Sequence, residues 1–541
     1  MTRIIFLVFL LTLGACSSGG KSSSAPRSAE PIDKPLFELG KASGFRLNNQ
    51  SVEADLQTSL EIKTENPLIS WRVISASRLL KADADTQNGR VIISLDKSAL
   101  RDIDNGEYSE WVDLEFNHPD FSEPTISRMS LDVEIAFSEM QYTAPRVVYV
   151  GEETTVLIRG NQIGNLGLTS LQAGEFTLDN IRSINASEIE VTIPASLPEG
   201  MYTFEIPKAL ELDREAAHIV VKPHAVYPTG SVALPSGVGR VAYDPEREQF
   251  FFVGSSAVYS LSHDGVNWQW SKYPFMPPVN IALTQNGKKL LVGDGGCKLW
   301  EIDLQSDVID SPHPWPGSCS ETLPEGIISD GVPFNETFSI IAPLYSGLTL
   351  IGDNERQANV LQYPSWDPVS FSYPREYSPF AMVSLYGTHM IWAGREGWVD
   401  PGAYVLDART QQFNKFNSVS GDSHFGWMGI SANGNRIFHY DDIYDAQLNY
   451  LGSLAGGDAN GYNRVGISPR GTLAGLWEME INGLKIYDIS DAAPFPLRED
   501  NIVLPNDYSF VSDILFSEDD RYLFVFTYDL LTSNFYVFEL D

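Results

Sequence analysis

The chain has 541 residues, 43% of them hydrophobic, and its 71 Asp and Glu residues outnumber its 37 Lys and Arg residues, giving a formal net charge of −34 at pH 7. A chain of this length and hydrophobic content predicts two or more domains with packed cores. The negative charge repels phosphate backbones and anionic lipid headgroups at long range, which argues against nucleic acid as a partner.

The first sixteen residues have the layout of an export signal. Arg3 precedes an apolar run at 4–11, which is too short to span a bilayer, and Leu-Gly-Ala-Cys follows at 13–16. This tetrapeptide resembles the bacterial lipobox, in which the signal is cleaved before a cysteine whose thiol is lipidated. The resemblance implies a signal peptide at 1–15, a Cys16 that carries fatty acyl chains such as palmitate, and, because Ser17 follows, sorting to the outer membrane. An ordinary secretory signal with a chance cysteine is the alternative.

Residues 16–35 are predicted to be a lipidated flexible tether, since Ser and Gly dominate the segment after the cysteine. No later stretch reaches the roughly 18 apolar residues of a spanning helix, so the lipid is the predicted anchor. Cys297 and Cys319 remain, and the oxidising space outside the inner membrane permits a disulfide between them, with two free thiols as the alternative. No His stands near them at ligand spacing, which disfavours a metal site.

From about Phe37 onward the sequence predicts an almost entirely β structure. Short runs rich in Val, Ile, Thr, Tyr and Phe are divided by Gly, Pro, Asn and Asp, with hardly any helical periodicity. Three zones of the sequence differ in the pattern of these runs.

The first zone, 36–137, contains runs that alternate apolar and polar residues, as half-buried sandwich strands do. A Trp-containing run, a Gly-led run, a Gly-x-Tyr run and a final alternating run lie at 69–73, 89–95, 106–116 and 129–135. This order resembles the BACON-like immunoglobulin modules of bacterial surface proteins and implies a β-sandwich.

The second zone, 143–222, has an alternating run that ends in Gly-Asn at 155–161 and a run that ends in Pro at 189–194, before a Gly-x-Tyr run at 200–206. It resembles an IPT/TIG immunoglobulin-like domain. The resemblance implies a second β-sandwich with a spacer or docking role.

The third zone, 223–541, repeats a strand-plus-turn unit at a period of about 40 to 50 residues, which is typical of β-propellers. Seven units are found, at 241–245, 281–287, 331–335, 381–387, 428–434, 465–471 and 514–520. They resemble the WD-repeat-like and YVTN-like propellers of exported bacterial proteins and imply seven blades, although the irregular third unit leaves six or eight open. Since the last unit runs to the chain end, strand 230–234 is predicted to complete the last blade.

The sequence contains no recognisable catalytic or metal-binding motif. The eight His residues form no zinc-binding pattern, and no nucleophile elbow, P-loop or dinucleotide fingerprint is present. No cofactor and no metal are therefore expected, and the chain is more easily interpreted as a binding protein than as an enzyme.

Seven residues are expected to form a ring just before the innermost strands, where the loops of a propeller converge on its channel. They are Arg240, Asn280, Asp330, Phe380, Trp427, Arg464 and Asp513. One interpretation is a polar lining that any water-filled channel needs. The other is a ligand site, in which Phe380 and Trp427 supply aromatic surface and the two arginines hold a carboxylate or sulfate.

Three functions remain open at this stage. The first is a lipid-anchored, non-catalytic envelope protein whose propeller docks a protein or polysaccharide. The second is a propeller enzyme acting on a polysaccharide or a lactone. The third is a scaffold for outer-membrane assembly, and all three rest on analogy of fold.

Overall fold

The computed structural model describes residues 37–540 with gaps. The gaps are 41, 65–66, 102–104, 120–122, 205, 207–215, 236, 275–277, 295–297, 311, 315–327, 330–331, 334–339, 345–347, 353–357, 363–365, 370–379, 394–402, 416–427, 440–441, 455–463, 479–482, 505–509 and 529–531. Across the described residues the expectation of an almost entirely β chain is confirmed. The helical elements found there are short: α1 (Lys97–Arg101) and the 3-10 turns Glu53–Leu56 and Ile163–Leu166.

Two compact units are present. The first contains the described residues up to Phe45, Ala54–Leu100 and Tyr108–Val133, and the second contains Arg46–Glu53, Arg101–Glu107 and the chain from Glu134 onward.

The N-terminal region forms two four-stranded sheets, ordered β1-β3-β6-β5 and β2-β8-β7-β4. Alternation places every second side chain of β3, β6 and β8 in the interior, for example Leu60, Ile93 and Leu131. The strands are β1 (Phe37–Leu39), β2 (Phe45–Leu47), β3 (Gln57–Thr64), β4 (Ser70–Ala76), β5 (Leu80–Asp85), β6 (Arg90–Leu95), β7 (Gly106–Asn117) and β8 (Thr125–Ile135).

The next region also has two main sheets, and they share one core. Val156 and Val191 come from the sheet β14-β15-β11-β9, and Val148 and Val221 come from the sheet β10-β17-β16. The strands are β9 (Glu139–Ala144), β10 (Val147–Tyr149), β11 (Thr154–Asn161), β12 (Leu171–Ala173), β13 (Phe176–Leu178), β14 (Ile181–Asn185), β15 (Glu188–Ile193), β16 (Gly200–Thr203) and β17 (His218–Lys222), with β12 and β13 forming a separate hairpin.

Seven further sheets, numbered 1 to 7 in chain order of their first strands, follow one another. Sheet 1 consists of β19 (Val241–Asp244), β20 (Gln249–Val253), β21 (Ala257–His263) and β22 (Trp268–Pro274). Sheet 2 consists of β23 (Pro278–Leu283), β24 (Lys289–Asp294), β25 (Lys298–Asp303) and β26 (Val308–Ile309), with a short fifth strand β27 (His313–Pro314). Sheet 3 consists of β30 (Ile340–Pro343), β31 (Leu348–Gly352), β32 (Ala358–Gln362) and β33 (Asp367–Pro368). A hairpin of β28 (Ile328–Ser329) and β29 (Val332–Pro333) precedes sheet 3.

Sheets 4 to 6 repeat the four-stranded meander. Sheet 4 consists of β34 (Phe380–Val383), β35 (His389–Ala393), β36 (Ala403–Asp407) and β37 (Gln412–Lys415). Sheet 5 consists of β38 (Met428–Ile430), β39 (Ile437–His439), β40 (Asp442–Tyr444) and β41 (Tyr450–Ser453). Sheet 6 consists of β42 (Arg464–Ile467), β43 (Leu473–Glu478), β44 (Gly483–Asp488) and β45 (Leu497–Val503).

Sheet 7 joins the beginning of the repeat region to its end. Its strands are β46 (Phe510–Phe516), β47 (Tyr522–Tyr528), β48 (Ser533–Glu539) and β18 (Gly230–Leu234). β18 pairs antiparallel with β48, with Gly230 opposite Val537 and Leu234 opposite Ser533, so the prediction that 230–234 completes the last sheet is confirmed. This pairing covers the outer edge of β48, which would otherwise be a free sheet edge.

The seven sheets have a propeller-like arrangement. The first strands contact one another in succession from β19 to β46. An aromatic cluster then packs sheet 7 against sheet 1, with Phe250 of β20 only 4.8 Å from Phe524 of β47, centroid to centroid. The set of sheets therefore closes on itself.

The expected third unit is corrected by the structure. Residues 331–335 were expected to form the innermost strand of the third sheet, but Val332–Pro333 belongs to the short hairpin, and the innermost strand is Ile340–Pro343. An innermost strand pairs on one side only, so it tolerates Pro343. That proline, and Leu344 in place of the repeated Ser or Thr, hid the strand from the repeat pattern.

A repeated hydroxyl group explains why the repeat is visible in the sequence. In five sheets a Ser or Thr just after the first strand accepts the backbone N–H of the residue five positions later, at 3.0 to 3.1 Å. These residues are Thr284, Ser384, Ser431, Ser468 and Ser517. The residue three positions later has a positive φ in each case, and it is Gly in four and Asp520 in the fifth. We call the end of the seven sheets where these turns lie the turn face.

Candidate functional site

A cavity of about 250 Å³ lies where the first strands of the seven sheets meet. Every sheet contributes to its wall, and most of the lining residues are aliphatic. They include Val241, Ile281, Ile341, Val383, Ile430, Val465, Ile467 and Ile514. The cavity is the central channel that the repeat pattern predicted.

Backbone hydrogen bonds align the seven first strands and so locate the predicted ring. In sheets 2 to 7 the N–H of Thr284, Leu344, Ser384, Ser431, Ser468 and Ser517 donates to the second strand in the same way. In sheet 1 the matching residue is Asp244, which pairs with Gln249. Counting back four residues from each gives Arg240, Asn280, Ile340, Phe380, Trp427, Arg464 and Asp513.

Among the described residues, the register places Arg240, Asn280, Phe380, Arg464 and Asp513 at equivalent positions of their strands, and it differs from the expectation in sheet 3. The third position belongs to Ile340, because β30 and not 331–335 is the innermost strand, so the prediction of Asp330 was wrong. Asp330 and Trp427 lie outside the described residues, and Phe380 is placed by the pairing of β34. Arg240, Asn280 and Asp513 line the cavity.

Asn280 and Asp513 have equivalent structural roles in sheets 2 and 7. Each stands at a β-bulge, and each side-chain oxygen accepts the backbone N–H of the next residue, Asn280 from Ile281 at 2.8 Å and Asp513 from Ile514 at 3.0 Å. This bond holds the local conformation of the bulge. Part of the ring thus has a role in shaping the fold.

Arg240, Arg464 and Asp513 form an electrostatic cluster at the ring. Burial raises the pKa of Asp513 to about 6, while the charges of Arg464 and Arg240 oppose that rise. Burial, with the nearby Arg464, lowers the pKa of Arg240 to about 10. Arg464 also donates from Nε to the carbonyl of Val511 at 3.3 Å, which ties it to the strand that carries Asp513. Two cations and one carboxyl group therefore share a small volume.

The turn face is crossed by a buried carboxyl group that the sequence analysis did not single out. Tyr386, in the turn of sheet 4, donates from its hydroxyl to Glu518 of sheet 7 at 3.2 Å, and Tyr149, from β10, approaches the other oxygen at 3.5 Å. Glu518 is 3% exposed, and this burial raises its pKa to about 7. Since sheets 4 and 7 stand nearly opposite each other, these contacts bridge the end of the channel.

A second crossing involves Gln285. Its amide donates to the carbonyl of Pro343 at 2.5 Å, joining the turns of sheets 2 and 3. The same side chain passes over Gly387, where an added Cβ would come within 2.2 Å of it. The turn of sheet 4 therefore needs a glycine for this close approach as well as for its positive φ.

The second sandwich covers the turn face through ion pairs. Arg146 donates to Glu246 at 2.9 Å and lies directly over Gly287, while Lys222 donates to Glu248 at 2.7 Å.

At the neighbouring sheet 7, His224 stacks on Tyr149 with 4.4 Å between ring centroids, and its two nitrogens lie 3.0 Å from Asp519 and 3.2 Å from Glu152. Arg470, from the turn of sheet 6, donates to Glu152 at 2.9 Å. Ion pairs to the turns of sheets 1 and 6, and the hydrogen bond between His224 and Asp519 of sheet 7, hold the sandwich against this face.

One signal in the sequence could have identified this carboxyl group. The residue after the repeated Ser or Thr is Gln285, Leu385, Ala432 and Pro469 in four sheets, and Glu518 in the fifth. A single acidic residue at a repeat position that is uncharged in the other four sheets indicates a contact that those sheets do not make. Its tyrosine partners, 132 and 369 positions away, carry no such mark.

The remaining predicted sites lie outside the described residues: Cys16, with the lipid, and the pair Cys297 and Cys319. In the part of the chain that is described, no group of three or more His, Cys, Asp or Glu side chains is arranged to hold a metal ion. No helix among those same residues has the length and apolar character needed to cross a membrane.

Comparison with known proteins places the chain in no family. No protein-family model and no curated protein matches it. Among solved structures, a chain described as "Crystal Structure of Mitotic Checkpoint Complex" is similar at a TM-score of 0.42 and 11% identity, covering 59% of this chain and 96% of that one. A similarity of this size assigns no function.

Proposed function

We propose that this protein is a lipid-anchored binding protein of the bacterial cell envelope, built as two β-sandwiches and a seven-bladed β-propeller, in which the ring end of the channel docks a protein or polysaccharide ligand. Cys16 would carry the lipid in the outer membrane. The second, IPT/TIG-like sandwich would serve as a fixed cap on the turn face.

The observation that carries the proposal is the unequal construction of the two channel ends. The turn face is bridged by Tyr386 and Glu518 and covered by Tyr149 of the second sandwich. A ligand would therefore reach the channel from the ring end, where the side chains differ from one sheet to the next. Binding sites are typically apolar concavities with a few converging polar groups, and the aliphatic channel with Arg240 and Asp513 fits that description.

The test places a photo-crosslinking residue at position 380 of the full-length chain expressed in a Gram-negative envelope. We expect covalent adducts of a discrete mass, protein or glycan, that depend on illumination. The matched control carries the same residue at Val266, which is 74% exposed. Equal adducts at both positions would contradict a ligand site at the ring.

The anchor is tested separately. Cys16→Ser should remove the acyl chains and move the protein from the membrane fraction to the soluble fraction, whereas Ser17→Ala should leave it with the membrane. Membrane retention of the Cys16→Ser protein, with no acyl mass on the wild type, would contradict lipidation.

A further inference from the structure

A row of alternating charges joins the second sandwich to the turn face. Arg470, in the turn of sheet 6, donates to one oxygen of Glu152 at 2.9 Å, and the other oxygen of Glu152 lies 3.2 Å from Nε2 of His224. Nδ1 of His224 lies 3.0 Å from Asp519, in the turn of sheet 7. Glu152 and His224 belong to the sandwich, so the row fastens it to two neighbouring sheets.

The position of His224 suits the protonated imidazole. A carboxylate only accepts hydrogen bonds, whereas a neutral imidazole has one N–H and one nitrogen lone pair. With a carboxylate beside each nitrogen, a neutral ring would turn its lone pair toward a carboxylate oxygen, while the protonated ring offers an N–H to both. Stacking on Tyr149, at 4.4 Å between centroids and 8° between planes, holds the plane of the ring.

Asp519 depends on the positive charge of His224. The side chain of Asp519 is 4% exposed, and its other donors are neutral: the hydroxyl of Ser517 at 2.6 Å and the backbone N–H of Arg521 at 3.3 Å. Among the residues that the structure describes, His224 is the cation paired with this carboxylate. A buried carboxylate that loses its cationic partner is costly, so a neutral His224 would weaken the attachment of the sandwich.

Two further histidines lie between the sandwich and sheet 1, and they differ from His224. Each faces a glutamate that is also paired with a Lys or Arg, whose charge does not change near neutral pH. The sets are His218 with Glu246 and Arg146, and His263 with Glu248 and Lys222. These contacts therefore do not require a charged histidine.

The remaining titratable groups around His224 act in the same direction or keep their charge. The hydroxyl of Tyr149 approaches Glu518 at 3.5 Å, and burial raises the pKa of Glu518 to about 7. Glu518 therefore gains a buried negative charge as the pH rises through 7, which also disfavours the docked sandwich. Burial raises the pKa of Tyr149 far above this range, and Arg470 and Lys222 stay positive.

We propose that the second sandwich is held on the turn face by a proton-dependent contact, in which protonated His224 bridges Asp519 and Glu152 and releases them when it becomes neutral. The charge of an imidazole changes between pH 5 and pH 8, so the attachment is strongest at the acidic end of this range. This inference concerns the cap on the turn face and does not depend on a ligand at the ring.

The test is a double-mutant cycle in the full-length chain with His224→Gln and Asp519→Asn. The unfolding equilibrium constants of the four proteins are measured in urea at pH 5 and at pH 8. We expect a coupling of about tenfold in the equilibrium constant at pH 5 and of less than about twofold at pH 8. All four proteins contain Glu518, so its own pH dependence cancels in the cycle.

The control cycle combines Lys485→Gln with Glu478→Gln, a pair in sheet 6 at 2.9 Å whose charges persist from pH 5 to pH 8. Its coupling should be the same at the two pH values. If Asp519→Asn does not fold, because its carboxylate also holds the turn, Glu152→Gln takes its place, since Glu152 is 36% exposed and faces the other nitrogen of His224.

Three outcomes overturn the inference. An equal coupling at pH 5 and pH 8 would show that the proton on His224 does not strengthen the contact. The absence of coupling at both pH values would show that the contact contributes nothing to stability. An equal change in the control cycle would show that the pH dependence is not specific to the histidine.

Discussion

The turn face and the ring are opposite ends of the same seven first strands, and they are built from different kinds of residue. At the turn face five sheets repeat a Ser or Thr whose hydroxyl accepts a backbone N–H, and salt bridges fasten a second domain over them. At the ring, by contrast, Arg, Asn, Ile, Phe and Asp occupy equivalent positions among the described residues. The recurring Ser and Thr residues hold the turns, whereas the ring residues differ from sheet to sheet, and two of them, Asn280 and Asp513, also hold β-bulges. Four predictions test this contrast, and they are ordered from the largest expected effect.

Tyr149→Ala should cost about 3 to 5 kcal/mol in the free energy of unfolding, because it leaves a cavity between the second sandwich and the turn face. Tyr149 is 7% exposed. The control, Tyr450→Ala, alters a tyrosine that is 60% exposed and should cost less than about 1 kcal/mol. Urea unfolding of the full-length chain measures both. Equal costs would mean that the sandwich does not stabilise the turn face.

Glu518→Gln should remove a pH dependence of the protein's stability. The folded-state pKa of Glu518 is raised to about 7, above the ordinary 4.5 of the unfolded chain. The folded state therefore holds a proton that the unfolded state has lost, and wild-type stability falls as the pH rises from 4.5 to 7. Relative to the wild type, the free energy of unfolding of the variant should rise by up to about 3 kcal/mol between pH 5 and pH 8.

Urea midpoints of the Glu518→Gln chain at the two pH values provide the measurement. Glu539→Gln is the matched control, since that side chain is 54% exposed on the outer surface. A Glu518→Gln shift that is the same at pH 5 and pH 8 would show that Glu518 is ionised throughout.

Ser517→Ala should cost about 1 kcal/mol, because the N–H of Tyr522 loses its acceptor in a buried turn. Thr410→Ala, at an exposed turn of sheet 4, should change stability by less than about 0.5 kcal/mol. Thermal unfolding compares the two. A neutral Ser517→Ala would argue that the repeated hydroxyl has no role in holding the turns.

Arg464→Gln should change stability least, by about 0.5 kcal/mol or less, because its side chain is partly exposed at the ring. A destabilisation as large as that of Tyr149→Ala would identify Arg464 as a structural residue.

Much of the fold could be predicted because each signal was local. Runs that alternate apolar and polar residues predicted the strands, and a Ser or Thr with a Gly three residues later indicated the end of the first strand in four sheets. The strand 230–234 followed from the need to cover a free edge, and its pairing with β48 confirms it. The strand of sheet 3 was missed for an equally local reason, since Pro343 interrupts the apolar run and Leu344 replaces the repeated Ser or Thr.

The candidate site was predictable in part. Counting from the repeat gave equivalent positions for five residues that the structure describes, because residues at one repeat position lie at one level of the channel. It misplaced the third at Asp330, since an error in choosing the strand moves the ring position with it. The pairing of Arg240 and Arg464 around Asp513 could not be predicted, because it joins sheets 1, 6 and 7.

By itself the sequence determined the strand content, the repeat and the level at which the ring residues stand, because hydrophobic alternation and turn chemistry act over a few neighbouring residues. Only the tertiary structure decided that Tyr149 and Tyr386 meet at Glu518 and that the second sandwich covers one end of the channel. Those contacts join residues far apart in the chain, and a buried carboxyl group is tolerated only where the fold brings its hydrogen-bond donors to it.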